Sequence, residues 1–316
     1  VKLIVQIPCL NEEQTLPLVL KSIPKKIKGI DEIEVLVIDD GSRDKTIEVA
    51  KKLGVKHFVI HKQNRGLARS FHDGLLRSLE LGADIIVNTD GDNQYQQEKI
   101  ADLVAPIINN EADMVIADRL VQSIDHFSKG KKLMQAFGTK VLNAAARTNV
   151  PDAPSGFRAY SREAAMEINV VTRFSYTMET LIQAGNKGIS IASVPIPTNP
   201  KLRESRLFKN SFEHIYKSGA AISRAFIMYR PYVVFNTLGA ILLALGLVPF
   251  LRYLYFFIFD ATHGAHHLQS LIGGSVLLIA AFIAFTLGII ADLTRINRKL
   301  IEDMLEEQRR ERFDKK

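Results

Sequence analysis

From Lys2 to about Arg119 the chain alternates short apolar runs rich in β-branched residues with stretches whose apolar positions recur at helical spacing. The runs Leu3–Pro8, Ile33–Ile38, His57–Ile60, Asp84–Asn88 and Asp113–Ala117 predict strands. The stretches near Glu13–Ile23, Asp44–Leu53, Gly66–Leu81 and Glu98–Asn109 predict the helices between them. Such alternation predicts an α/β fold, a mostly parallel, doubly wound sheet with helices on both faces. Ligands of such sheets bind beyond the carboxyl ends of the strands, so those ends are where chemistry is expected. Further helices are predicted at Gly130–Arg147 and Tyr176–Gly185, and strand-like runs at Phe157–Tyr160 and Ile189–Val194, before a proline-rich exit at Val194–Pro200.

Beyond this exit the pattern changes. Lys201–Arg230 is basic, and two long apolar segments follow, Tyr232–Phe259, interrupted only by Arg252, and the uncharged Leu268–Ala291. A hydrocarbon core of about 30 Å takes about 20 apolar residues, and both segments exceed that. Apolarity around every helix face fits a membrane span better than a buried soluble helix. The intervening Asp260–His267 carries no Lys or Arg, whereas both outer flanks are rich in them. The positive-inside rule then expects a multi-pass hairpin in the cell membrane with both termini and the α/β domain cytoplasmic. The opening residues, a strand pattern without a basic-apolar leader, agree with that expectation. The tail, Thr294–Lys316, carries both charge signs with Ile296, Leu300, Met304 and Leu305 near helical spacing, and predicts a surface helix lying on the membrane or on a partner. The expected division is an α/β domain over residues 1–200, basic juxtamembrane helices over 201–231, two spans over 232–291 and a charged tail helix over 292–316.

A net charge of +7 suits an acidic or phosphorylated partner. The basic residues concentrate beside the apolar segments, which argues for phosphorylated lipid rather than nucleic acid. A single cysteine, Cys9, excludes a disulfide framework and a multi-cysteine metal site, and its place in the first apolar run reads as a small buried hydrophobe.

Four strand-end clusters carry candidate chemistry. In Pro8-Cys9-Leu10-Asn11-Glu12-Glu13, the Asn-Glu-Glu run is by itself a helix start. In Asp39-Asp40-Gly41-Ser42-Arg43-Asp44, two acids enter a glycine turn, as solvated loop residues or as acceptors for donors of a base and ribose. The third, Asp90-Gly91-Asp92-Asn93-Gln94, follows the fourth apolar run. A D-x-D at a strand exit can aim two carboxylates at one cation, with Gln94 adding an oxygen, and hard oxygen ligands suit Mg²⁺ or Mn²⁺ bridging a diphosphate. Alone, D-x-D is a weak motif and reads as a turn; in register with two other acidic strand ends it is strong. The fourth, Pro151-Asp152-Ala153-Pro154-Ser155-Gly156-Phe157-Arg158, is a turn into a strand. Arg119, Lys129, Lys131, Lys132, Arg203 and Arg206 are each ordinary surface cations in isolation, and together a cradle for phosphates.

Pro8, Asn11 and Glu12, Asp39-Asp40-Gly41-Ser42, Asp90-Gly91-Asp92-Asn93-Gln94 and Ser155-Gly156-Phe157-Arg158 resemble, in order and spacing over roughly residues 1–210, the inverting family-two glycosyltransferases. Among these the chain is similar to the dolichol-phosphate mannose synthase and polyprenyl-phosphate glycosyltransferase group. The resemblance implies a GT-A catalytic fold, a UDP- or GDP-hexose donor, a polyprenyl-phosphate acceptor and a Mg²⁺ or Mn²⁺ cofactor. It implies that Pro8, Asn11, Glu12, Asp39, Asp40, Asp90 and Gly91 border the nucleotide and that Asp90, Asp92 and Gln94 hold the metal. It implies further that Asp92, Arg119, Arg203 and Arg206 take catalytic roles, while Lys129, Lys131, Ser155, Gly156 and Arg158 meet the acceptor or its phosphate. The chain departs from the pattern at Gly91, commonly Ala, at Ala117-Asp118-Arg119, where Gly-Ser-Arg is frequent, and at Glu204 and Arg206, where Gly and Lys are familiar.

Rival classes are weaker. A processive polysaccharide synthase usually has a Gln-x-x-Arg-Trp motif, and the chain has no tryptophan. A noncatalytic nucleotide-binding scaffold has no need to keep Asp90, Asp92 and Arg203 together. A nicotinamide enzyme wants G-x-G-x-x-G after the first strand, where Pro8–Gln14 has no glycine, and no phosphate-binding P-loop occurs. A lipid phosphate is anionic at neutral pH, so no general base is required. Glu179 then reads as a first-turn helix residue, and Asp152 equally as turn or site. Association with further copies through the hairpin or tail stays open.

Overall fold

The computed structural model describes residues 1–120, 129–170, 176–200, 219, 223, 227–259 and 268–314. Two compact units form, one of Val1–Ile222 with Glu302–Lys316 and one of Ser223–Ile301.

Among the described residues the first unit is built on seven strands: β1 (Lys2–Cys9), β2 (Glu32–Asp39), β3 (His57–Ile60), β4 (Ile85–Asn88), β5 (Met114–Asp118), β6 (Arg158–Ser161) and β7 (Ile191–Pro195). Their order is β3-β2-β1-β4-β6-β5-β7. All neighbours are parallel except β6, which runs antiparallel to both β4 and β5. The parallel strands are near-continuous apolar runs because helices cover both faces, and Leu3, Ile4, Val5 and Ile7 of β1 have no exposed surface. Among the described residues seven helices accompany the sheet: α1 (Leu16–Ser22), α2 (Thr46–Lys52), α3 (Leu67–Glu80), α4 (Ile100–Ile108), α5 (Lys129–Ala146), α6 (Arg162–Glu167) and α7 (Tyr176–Lys187). α3 shows why such segments are helical and where they pack: Ala68, Phe71, Leu75 and Leu79 recur at three or four residues and are all buried.

The reversed β6 positions the site. A strand antiparallel to β4 begins where β4 ends, and the register pairs Asn88 with Arg158. The Ser155-Gly156 turn is thereby delivered to the carboxyl edge beside Asp90. The sequence also gave no expectation of α6, although Ser161 accepts from the Ala164 amide at 3.1 Å and Glu163 lies in the first turn, both helix-start signals. At six residues it is too short to show periodicity.

The second unit contains α8 (Pro231–Phe259) and most of α9 (Leu268–Asp314). Both are long and apolar enough to cross a membrane, with only 11% and 17% of their most apolar stretches buried. They pack on each other through glycines. A methyl group at Gly239 would lie 2.7 Å from the Phe285 ring, and one at Gly274 would lie 2.9 Å from the Phe250 nitrogen and 3.0 Å from the Gly246 carbonyl. Small residues that let backbones approach are the usual means of helix association in lipid.

The expected tail helix forms the C-terminal part of α9, which runs unbroken through Asp292. Its end returns to the first unit. Arg309 donates to the carbonyls of Met166 and Ile168 at 3.1 and 2.6 Å and to Asn169 Oδ1 at 3.0 Å, supplying donors to the open C-terminus of α6. Phe313 is buried and its carbonyl accepts from Arg162 at 2.8 Å.

Candidate active site

Three loops meet at the carboxyl edge of β1, β2 and β4, joined by bonds between side chains and backbone. Asn11 takes a left-handed conformation, φ 57°, so that its amide donates to Ser42 Oγ at 2.9 Å while its Oδ1 accepts from the Arg43 amide at 2.8 Å. The Glu12 amide donates to Thr46 Oγ1 at 2.8 Å, and the Glu13 amide to Asp44 Oδ2 at 3.1 Å. These bonds hold the turn after β1 against the turn after β2. The D-x-D turn closes on the same place. A methyl at Gly91 would lie 3.1 Å from Cys9 Sγ and 3.2 Å from Glu12 Cγ, so only glycine fits there without movement of its neighbours.

Within the D-x-D turn, Asp92 accepts from the Gln94 amide at 3.1 Å and from Gln94 Nε2 at 2.7 Å. Gln94 therefore braces Asp92, and its Oε1 is the atom left for a cation. Asp90 is half-buried. Its carboxyl is pushed up to about 7, first by burial and then by the charge of Asp92, with Arg119 acting in the opposite sense. A carboxyl that resists ionising beside a second carboxylate suits a divalent cation, which removes the repulsion. Among the described residues no three His, Cys, Asp or Glu side chains form a closed metal cage. A pair of carboxylates leaving the remaining positions to substrate oxygens is the arrangement usual for Mg²⁺ with phosphates.

The fourth cluster frames the other side. Gly156 donates its amide to Tyr95 Oη at 2.9 Å, and its carbonyl accepts from Asn88 Nδ2 at 3.0 Å and Tyr176 Oη at 3.2 Å. A methyl at Gly156 would lie 2.7 Å from Tyr176 Oη and 3.4 Å from Asp90 Oδ2. Burial, with the nearby Asp90 charge, pushes Tyr95 up to about 12, so it stays a neutral phenol. Asn199 closes the rim, its amide donating to the Gln94 carbonyl at 2.8 Å and its Nδ2 to the Asn93 carbonyl at 3.1 Å. Asn88, Tyr95, Tyr176 and Asn199 carry no sign of a site role in the sequence. Tyr95 was within sight, one residue beyond the D-x-D turn; the other three become neighbours only through the sheet order.

Arg119 leaves β5 and is clamped by Asp152, Nε to Oδ2 at 2.6 Å and Nη2 to Oδ1 at 2.8 Å. Burial alone would lower the Arg119 pKa, and the hydrogen bonds with Asp152 outweigh it and raise it. Asp152 is 1% exposed, so its place is to hold Arg119 rather than to meet solvent. Ser155 is likewise fully buried, with its Oγ unpartnered.

Two residues expected to meet ligand are engaged by protein partners in the structure. Arg158 has no exposed surface, and its guanidinium donates to the carbonyls of Ser155, Ala153 and Thr177 and to Thr180 Oγ1. It ties the 153–157 turn to α7, its donors engaged by protein oxygens. The Asp40 carboxylate, 5% exposed, is also turned inward, accepting from His61 and from the amides of Arg65 and Gly66. Asp39, 4% exposed, differs in bonding rather than burial: its two oxygens accept long 3.3 Å contacts from the Ser42 amide and keep capacity for a ligand. Lys129 and Lys131 fall at the start of α5 with their side chains outside the described residues, and Arg203 and Arg206 lie outside them altogether. Glu179 is buried on α7, away from any solvent-facing role.

The model of the family described as "Glycosyl transferase family 2" matches residues 4–168, more than half of the chain and all of the strand ends above except β7. The chain belongs to glycosyl transferase family 2. Its sheet is of the GT-A type, with β6 as the reversed strand. Among related glycosyltransferases, the dolichyl-phosphate hexose transferase of Haloferax volcanii is 28% identical over 217 residues, 69% of this chain and 89% of that protein. The UDP-N-acetylglucosamine–dolichyl-phosphate N-acetylglucosaminyltransferase of Methanococcus voltae is 28% identical over 216 residues, 61% of this chain and 83% of that one. A similar solved structure is glucosyl-3-phosphoglycerate synthase of Mycobacterium tuberculosis, in complex with Mn²⁺, UDP and glucosyl-3-phosphoglycerate. At 23% identity and a TM-score of 0.55, covering 72% of this chain and 78% of that one, it shares the fold.

Proposed function

We propose that the chain transfers a hexose from a nucleotide-sugar to a polyprenyl phosphate at the cytoplasmic face of a membrane, with inversion. The observation that carries this reading is the convergence of Asp90 and Asp92 with the Pro8–Glu12 turn and the Gly156 turn at one sheet edge. The relatives' dolichyl-phosphate acceptors and two helices of membrane-spanning length support the lipid acceptor.

Pro8, Asn11, Glu12, Asp39 and Gly91 border the nucleoside in this reading, and Asp90, Asp92 and Gln94 Oε1 are the oxygens for Mg²⁺ or Mn²⁺. The cation supplies charge stabilisation on the departing diphosphate. Arg119, held by Asp152, adds positive charge at the same edge, and Arg203, Arg206, Lys129 and Lys131 are proposed for the acceptor phosphate. An oxygen of the lipid phosphate attacks the anomeric carbon, its bond to the diphosphate oxygen breaks, and the electron pair leaves with the nucleoside diphosphate. The nucleophile is already an anion, so no side chain has to take a proton. The buried positions of Glu179 and Asp152 agree with that economy.

The test incubates membranes containing the chain with labelled UDP-glucose, GDP-mannose and UDP-N-acetylglucosamine, each with polyprenyl phosphate. Label entering the organic phase from at least one donor, and lost with a chelator, is the expected result. Label confined to water-soluble product, including a glycosylated phosphate metabolite, contradicts the lipid acceptor.

A further inference from the structure

His61, at the exit of β3, lies between two carboxylates. Its Nδ1 is 2.8 Å from Asp40 Oδ1 and its Nε2 is 3.1 Å from Asp73 Oδ2. Each ring nitrogen thus has its own carboxylate partner. The imidazole is 4% exposed, Asp40 7% and Asp73 14%, so water contributes little to holding any of them. Asp73 comes from the second turn of α3 and faces Arg69 at 2.9 Å and Arg65 at 3.7 Å on its open side.

The far end of this row is the nucleotide edge. Asp40 accepts from the Arg65 amide at 2.8 Å and the Gly66 amide at 2.9 Å, which fixes the segment between β3 and α3. That segment lies directly over the turn after β2, where a methyl at Gly41 would meet the Gln63 carbonyl carbon at 2.8 Å and the Asn64 nitrogen at 2.9 Å. Gly66 itself has φ 92°, a conformation other residues rarely adopt. The segment's place therefore depends on Asp40, the place of Asp40 on His61, and the orientation of the His61 ring on Asp73. A carboxylate that fixes the ring of a histidine behind a functional group is a recurrent arrangement in protein sites.

We propose that His61 and Asp73 are positioning residues, which hold Asp40 and the Gln63–Gly66 segment as the wall of the nucleoside pocket beside Asp39. The assignment rests on the nucleotide-binding reading above. Neither residue touches substrate, and neither takes part in bond making.

The experiment uses the full chain in detergent with Mn²⁺, and UDP and GDP as probes. Asp73→Ala is expected to weaken binding of the preferred nucleotide at least tenfold. Asp73→Asn keeps an oxygen for His61 Nε2 and is expected to recover most of that loss. Arg77→Ala, on the same helix and paired with Glu80, serves as control and stays within twofold. In turnover, Asp73→Ala raises KM for the donor while kcat stays within about twofold, which a general loss of folded protein does not produce. Hydrogen exchange at the Arg65 and Gly66 amides quickens in Asp73→Ala and in His61→Gln, the second variant should the first fail to fold. Unchanged affinity together with unchanged protection of these amides overturns the proposal. If the unsubstituted chain binds neither nucleotide, the nucleotide reading fails, and the amide protection still decides whether Asp73 and His61 position the segment.

Discussion

The two compact units use the same apolar residue types in opposite ways. In the α/β unit Leu3, Ile4, Phe71 and Leu75 have no exposed surface, whereas in the hairpin Phe259, Phe282 and Val248 are 73%, 74% and 69% exposed. In water the first arrangement is driven by burial of apolar area and the second is a liability. In a bilayer, lipid covers the exposed side chains and helix association depends on close contact at Gly239, Gly246 and Gly274. Polar chemistry divides the same way. Carboxylates and amides crowd the strand ends of the first unit, and the apolar stretch Leu268–Ala291 has no charge. In the proposed reading, one unit holds a charged donor and the other keeps the chain at a lipid surface.

The largest effect that separates the units is expected from Asp92→Asn. Sugar transfer should fall at least about 100-fold, the scale seen when a group stabilising transition-state charge is removed. Helix content of the detergent-solubilised chain should stay unchanged. Retained transfer would remove Asp92 from the site.

The next effect separates metal-free from metal-loaded protein. The Asp90 carboxyl stands at about 7 against an ordinary 3.8, chiefly through burial. Between those values the folded chain keeps a proton that the unfolded chain has lost, so stability contributed by this group falls as pH rises through the window. With a chelator present, the melting temperature of the α/β unit should therefore drop from pH 5 to pH 8. Mn²⁺ at pH 8 should restore it, and Asp90→Asn should flatten the dependence. An equal slope in the variant would assign the effect elsewhere.

Gly274→Leu tests the other unit. The side chain would enter space held by Phe250 and the Gly246 carbonyl. Overpacking of this kind costs about 1–3 kcal/mol and should appear as faster proteolysis of the hairpin with nucleotide binding intact. The smallest effect is expected from Gly91→Ala. Contacts of 3.1 and 3.2 Å to Cys9 and Glu12 require shifts of a few tenths of an ångström, and nucleotide affinity should change by no more than about threefold.

What the sequence revealed depended on whether the signal was a pattern or a direction. The strands appeared as apolar runs within a residue or two of their ends, because burial on both sheet faces leaves that mark. The reversal of β6 left none, since Phe157–Tyr160 reads the same either way. Its consequence, the Gly156 turn beside Asp90, needed the pairing of Asn88 with Arg158. Arg158 and Asp40 were recognisable as charged residues in the right clusters, but composition does not say that a guanidinium points at backbone carbonyls. The continuity of α9 was obscured by the onset of charge at Asp292, which marks a change of surroundings without any glycine or proline to end a helix. The docking of Arg309 on α6 joins residues about 140 positions apart and has no local sign.

The central claim is that these strand ends pass a sugar to an oxygen of a lipid phosphate. Phosphorus-31 spectra of polyprenyl phosphate, recorded as the purified chain turns over its preferred nucleotide-sugar with Mn²⁺, test it most directly. Conversion of the phosphomonoester signal, which moves with pH near neutrality, into a pH-insensitive phosphodiester signal, with one nucleoside diphosphate released per diester, is the predicted result. A monoester signal that persists while nucleoside diphosphate accumulates would contradict it.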